Sequence, residues 1–199
     1  MADLEKTGKN LEGQGFRVHR FASGAEAAEF LVQTLHGTSI GIGGSVTIDT
    51  LGVYDRLCGS NEVFWHWKNH APETRERAGK AEAYLCSANG VSENGEIVNI
   101  DGFGNRVAGT IYGPERVFLV VGRNKIAPDL TGAIDRARNI AAPLNARRLN
   151  RHTPCAVGEP RCHDCRSPEK VCSVMTVFFM PPTSIKEFHV ILVDEDLGY

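Results

Sequence analysis

Four of the chain's six cysteines fall in one stretch, HTPCAVGEPRCHDCRSPEKVC, between His152 and Cys172. They are Cys155, Cys162, Cys165 and Cys172, spaced C-x6-C-x2-C-x6-C. Gly158, Pro160, Ser167 and Pro168 lie between them, so the stretch must loop, and a wrapped loop can bring four sulfurs to one inorganic centre. Structural zinc usually uses two close pairs, and only one CxxC occurs here. A [4Fe–4S] cluster is the first expectation, on a resemblance of the spacing given below. Zinc is the alternative, and four free thiols remain open. Arg161, Arg166 and Lys170 can offset thiolate charge, and His163 can donate to a cluster from outside its ligand set. Cys58 and Cys86 sit among apolar residues and read as core.

A second group of residues suits anions. GIGGSVTIDTLG puts Gly41, Gly43 and Gly44 between a strand and a helix, where backbone N–H groups and a helix dipole attract negative charge. The turn is not a dinucleotide fingerprint, because Val46 stands where its last glycine belongs, and it lacks the lysine of a P-loop. NIDGFGNRVAG adds Asn99, Asp101, Asn105 and Arg106. RNK, after the apolar run VFLVVG, adds Arg123, Asn124 and Lys125. APLNARRLNR adds Asn145, Arg147, Arg148 and Arg151. Polar groups at strand ends of open α/β sheets often line a ligand crevice. The expected cleft comprises Gly43, Gly44, Ser45, Val46, Asp101, Asn105, Arg106, Asn124 and Lys125. It binds a small anionic metabolite, with Arg106 or Lys125 pairing with a carboxylate. Asp101 and Lys125 are also candidate catalytic groups. SENG makes Glu93 a third candidate, since a carboxylate can attack an acyl group. The same four residues also read as a hairpin turn at Asn94-Gly95. His66 and His70, spaced i and i+4, read as packing or surface residues.

These groups need elements to hold them. The pattern predicts a helix within residues 2–14, a strand at FRVHRF, and a helix from Ser23, with Ser23 and Glu26 as a capping box. It predicts a strand at SIGIGG, then one helix over SVTIDTLGVYDRL carrying Val46, Leu51 and Leu57 inward. Residues 61–81 read as irregular structure plus a helix. Strands follow at AYLCSA, EIVNI and RVFLVVG. A helix over APDLTGAIDRARNIAA places Ile134, Ala137 and Ile140 on one face, and VMTVFFM and FHVILVD close as strands. Alternating strands and helices predict an α/β protein in three layers, a mainly parallel sheet with helices on both faces. The 199 residues read as one domain.

The composition is 42% hydrophobic and 23% charged, an ordinary globular balance, and the net charge of −2 argues against nucleic acid as a partner. No apolar run reaches membrane-spanning length, and MADLEKTGKN lacks the order of a signal peptide. The expectation is a cytoplasmic protein, where clustered thiols more often hold metal than form disulfides.

Taken together, GGSVTIDTLG, NIDGFGNRVAG, GPERVFLVVGRNKI, AAPLNARRL and PCAVGEPRCHDCRSPEKVC resemble the lactate-utilization (LUD) domain family, from about Phe16 to Tyr199. The resemblance implies a fold related to sugar-phosphate isomerases and CoA transferases. In that group the glycine turn, here Gly43, Gly44, Ser45 and Val46, binds phosphate or CoA. SENG is similar to the motif around the nucleophilic glutamate of type I CoA transferases. The cysteine spacing is similar to the [4Fe–4S] loop of some DNA-repair glycosylases. The family implies participation in oxidation of lactate or a related 2-hydroxy acid, with electrons leaving to a redox partner subunit, and a homo-oligomer is possible. The alternatives are a zinc-stabilised ligand-binding or regulatory module, and acyl or CoA transfer through Glu93.

Overall fold

The computed structural model describes residues 2–199. Ten strands are present: β1 (Arg17–Phe21), β2 (Ser39–Ile42), β3 (Glu62–Trp65), β4 (Ala83–Cys86), β5 (Gly90–Ser92), β6 (Ile97–Asp101), β7 (Arg116–Gly122), β8 (Ile126–Ala127), β9 (Val174–Phe178) and β10 (Glu187–Val193). The helices are α1 (Leu4–Gly13), α2 (Gly24–Thr34), α3 (Val46–Leu51), α4 (Tyr54–Cys58), α5 (Thr74–Gly79), α6 (Asn105–Ile111), α7 (Leu130–Arg136), α8 (Ala142–Arg148) and α9 (Pro154–Val157). No helix among the described residues is long and apolar enough to cross a membrane.

Six strands form one parallel sheet in the order β1-β10-β7-β4-β2-β3. Alternation along β7 shows why its sequence is apolar throughout. Phe118 and Val120 join one core with Leu31 of α2, Ile48 of α3 and Leu57 of α4. Val117, Leu119 and Val121 join the opposite core with Leu11 of α1 and Ala78 of α5. A parallel strand buried on both faces has no polar face to show. The predicted helix-sheet-helix arrangement is therefore present.

A second, four-stranded sheet, β8-β5-β6-β9, was not legible as a separate unit. It is mixed: β5 pairs antiparallel with β6 and parallel with β8, and β6 pairs antiparallel with β9. Val91, Ile97 and Phe178 turn toward the main sheet's core. Val98 and Ile100 turn outward to Ala133, Ala137 and Ala142 of the α7–α8 rod. The hairpin at SENG forms, with Gly95 at φ +102°, in the left-handed region that glycine tolerates.

Three local expectations are corrected. The single helix over residues 45–57 is two, because Gly52 adopts φ +63° and closes α3. Residues 62–65, placed in irregular structure, form edge strand β3. The helix after Asp129, which caps it by accepting from Gly132 N, passes through a π turn at Ala137–Ala141. That wide turn shifts the helical phase, so Ala133, Ala137 and Ala141 are buried while Ile140 is 47% exposed. Cys86 is buried as expected, but Cys58 is exposed.

Candidate functional site

All six strands of the main sheet run the same way, so their C-terminal ends share one edge, where ligand crevices form in open α/β sheets. A cleft of about 410 Å³ lies there. After β2 come Gly44, Ser45, Val46 and Thr47; after β3, His66 and Trp67; after β4, Ser87, Ala88 and Asn89; after β7, Lys125; after β10, Tyr199. Asp101 to Phe103, Asn105 and Arg106 close one side, and Asn145, Arg148 and Arg151 the other. Ser45 caps α3 by accepting from Ile48 N at 3.3 Å. Gly43 lies beneath the wall, where a Cβ would stand 3.0 Å from Arg106 Cγ, so its bareness makes room for that side chain.

The floor carries three basic side chains without carboxylate partners, Lys125 and Arg136 buried and Arg106 half-buried. Lys125 Nζ donates to Thr47 Oγ1 at 2.7 Å, Ser87 Oγ at 2.8 Å and Ala88 O at 3.3 Å. Burial, then the charges of Arg136 and Arg106, push its pKa well below that of an ordinary lysine. Arg106 donates from Nη1 to Ser87 O at 3.0 Å and from Nη2 to Asn89 Oδ1 at 2.6 Å, and also to Ile100 O. Arg136 donates to Asn124 O and Asn89 O, and burial pushes its pKa down to about 10. Neutral oxygens thus hold positive charge beneath the cleft, which attracts anions. The expected direct pairing of a ligand carboxylate with Arg106 or Lys125 needs revision, because these groups already donate to protein oxygens. Asp101, the one carboxylate lining the cleft among the described residues, accepts from Phe103 N at 3.2 Å and from Arg106 N at 2.9 Å, and so starts α6.

The rim supplies what the floor withholds. Arg75, Arg148 and Arg151 line the cleft, and none pairs with a carboxylate among the described residues. Arg148 lies over the Trp67 ring at 4.6 Å and Arg75 over Phe103 at 4.9 Å. His66 Nδ1 is buried with no hydrogen-bond partner, and the Tyr199 hydroxyl is buried beside the Arg148 guanidinium. Burial and then the charge of Arg75 bring the His66 pKa down to about 4, so it is neutral at pH 7. Unpaired buried polar atoms in a cleft mark places where a ligand can bond.

Beyond the wall is a second cavity of about 230 Å³, lined by Cys155, Cys162, Cys165 and Cys172. All four are free thiols. Among the described residues no group of three His, Cys, Asp or Glu side chains is arranged to hold a metal ion, and the four thiols line the cavity. Burial raises the Cys172 pKa; Lys170 opposes this, and the other three thiols add to it. Arg138 donates to Cys162 Sγ at 3.4 Å and pairs with Asp164. Asn139 Oδ1 accepts from Cys162 N at 2.8 Å, and Arg147 donates to Ala156 O and Gly158 O. The donor set of four thiols with Arg138 and Lys170 nearby fits an anionic thiolate-bound cluster. Ile100 and Val171 line both cavities, so a single side-chain layer separates them there.

Of the predicted cleft residues, Gly44, Ser45, Val46, Asp101, Asn105, Arg106 and Lys125 line the cleft, and Gly43 supports it. Asn124 instead secures the last residues, donating to Gly198 O at 3.0 Å and accepting from Leu197 N at 3.1 Å. Arg123 pairs with Asp194 and Asp196. Glu93 lies apart from the cleft, accepting from Lys6 Nζ at 3.0 Å and Asp3 N at 3.1 Å, so it ties α1 to the hairpin. His163 lines the cysteine cavity with its Nε2 against Glu159 O at 3.2 Å, and His66 and His70 face the cleft rather than packing elsewhere. Thr47, Trp67, Ser87, Asn89 and Arg75 were not singled out, nor was Arg138 beside the thiols. Arg75 and Trp67 lie in the span whose strand was not recognised, and Arg138 follows a phase set by the π turn.

A solved structure described as a DUF162 family protein from Deinococcus radiodurans is similar in fold, with TM-score 0.56 and 14% identity, over 96% of this chain and 95% of that one. No protein with a curated description matches this chain. The sequence model of the LUD domain matches residues 4–193, nearly the whole chain. The protein therefore belongs to the LUD domain family, a membership that suggests a role in lactate utilization.

Proposed function

We propose that this protein takes part in oxidising lactate or a related small 2-hydroxy acid, with a [4Fe–4S] cluster held by Cys155, Cys162, Cys165 and Cys172. The observation that carries the reading is the shared wall: the anion cleft and the thiol-lined cavity meet at Ile100 and Val171. Conversion of a 2-hydroxy acid to its 2-oxo acid removes two electrons and two protons. The cluster, when bound, supplies one-electron transfer, so a partner subunit must accept the electrons in turn. The chain's own residues bind and orient the acid. Lys125, Arg106 and Arg136 set a positive potential under it, and the rim arginines offer donors to its carboxylate. The neutral His66 imidazole and the Asp101 carboxylate present acceptors for the two protons, one from the hydroxyl and one from C2.

All four thiols line one cavity, and a single CxxC is not the paired pattern usual for structural zinc, which supports a polynuclear cluster over one zinc ion. Protein prepared without air should carry about four iron and four sulfide per chain, with broad absorbance near roughly 400 nm that bleaches on reduction. A colourless preparation with one zinc per chain would overturn the redox reading.

A further inference from the structure

The chain's arginines divide by partner. Arg17, Arg20, Arg56, Arg77, Arg116 and Arg123 all pair with carboxylates. Seven do not, among the described residues; Arg75, Arg106, Arg148 and Arg151 of these line one cleft with Lys125, while Arg136, Arg147 and Arg166 lie elsewhere. Four arginines and the Lys125 amine thus face one side-chain carboxylate there, and Asp101 is already occupied by N–H groups of the α6 start. One monocarboxylate neutralises a single charge and leaves most of this field uncompensated. The cavity, about 410 Å³, is in the range that holds ligands far larger than a three-carbon acid. The free donors also sit at two levels. The rim offers Arg75 and Arg151, with Arg148 also donating to Asn145 Oδ1 at 2.9 Å, while His66 Nδ1 is buried without a partner and the Tyr199 phenol is buried beside Arg148.

From this distribution we infer that the ligand is a phosphorylated 2-hydroxy acid, with its phosphate dianion on the rim arginines and its hydroxy-acid end toward His66 and Tyr199. The planar fork of an arginine suits phosphate oxygens, and three of them match a dianion better than a lone carboxylate. The inference rests on the cleft being the ligand site, as in the function proposed above, and needs no cluster.

The test is calorimetric titration of the full-length protein with 3-phosphoglycerate, glycerate, lactate and inorganic phosphate. At low salt, 3-phosphoglycerate should bind at least tenfold more tightly than glycerate or lactate, and more tightly than inorganic phosphate. Arg148→Gln and Arg151→Gln should each remove most of that advantage, weakening 3-phosphoglycerate binding at least fivefold more than glycerate binding. Both side chains are exposed, so the variants should match the parent in thermal midpoint, and any that does not is replaced by the corresponding lysine variant. Equal affinity for glycerate and 3-phosphoglycerate overturns the inference and leaves the 2-hydroxy-acid reading standing. Equal affinity for inorganic phosphate and the ester overturns the organic part of it. Iron and sulfide content, measured on the same samples, tests the cluster separately.

Discussion

Gly102 lies so close to Val171 that a Cβ on it would stand 2.8 Å from the Val171 Cα. Real Cβ atoms do not approach backbone that closely, so something must move. Gly102 follows β6 and lines the cleft, while Val171 precedes Cys172 in the thiol loop. Gly102→Ala should destabilise the protein by about 1–3 kcal/mol, the usual consequence of overpacking. It should also lower cluster content after anaerobic reconstitution, because the push falls on the loop that carries Cys172. Iron assay and thermal melting measure both, and an alanine variant with unchanged iron would separate the two cavities.

Lys125 makes a different trade. Its ammonium is 2% exposed and faces no carboxylate among the described residues. The hydroxyls it donates to have their own acceptors, Thr47 with Leu197 O at 3.2 Å and Ser87 with Val120 O at 2.6 Å. Lys125→Met keeps the volume and leaves no hydroxyl stranded. Stability at pH 7 should rise by about 1 kcal/mol, because burial disfavours the charged form of this amine and the thioether carries no such cost. Anion affinity should fall by about tenfold, or about 1.4 kcal/mol. A variant that is both less stable and equally able to bind would show that the amine is a structural tie.

A pair of histidines sets the acid limit. His19 Nε2 and His189 Nδ1 lie 2.9 Å apart on neighbouring strands, β1 and β10. Burial lowers both pKa values; Arg17 lowers that of His19 further, while Glu187 opposes the shift at His189. The unfolded chain therefore binds protons at these sites before the folded one does. Their contribution to stability is present above the unfolded value of about 6.5 and is lost as pH falls below it. Denaturant midpoints from pH 8 to 5 should drop on the acid side, and a His19→Gln His189→Gln variant should flatten that slope.

The thiols differ in role. Cys165→Ser should cut bound iron sharply and lower the thermal midpoint of the reconstituted protein, since metal bound to the native state stabilises it by mass action. Cys58→Ser, on the exposed end of α4, should change neither. Equal iron in both variants would remove the cysteine loop from metal binding.

Much of this was readable from local pattern. β7 announced itself because both its faces are buried, and Ser23 because its oxygen accepts from Glu26 N at 3.3 Å. The cleft residues at strand ends were legible because parallel topology sends every such end to one edge. What stayed hidden depends on distance along the chain. Glu93 read as a possible nucleophile because its partners, Asp3 and Lys6, are far away in sequence. Arg106 and Lys125 read as ligand contacts because nothing local says that main-chain and hydroxyl oxygens from β4 and α3 would claim them first. β3 was missed because its few residues mix charge with aromatics, and its parallel partner β2 decides it.

The widened turn at Ala137–Ala141 lets one rod attend to two neighbours. Within it Arg138 and Asn139 grip the loop around Cys162; farther on, Asn145 and Arg148 look into the cleft. Adding or deleting one residue within that turn would swing everything beyond it by about a hundred degrees. The spacing between those two duties is thus fixed by chain geometry, and sequence length there should tolerate substitution far better than insertion.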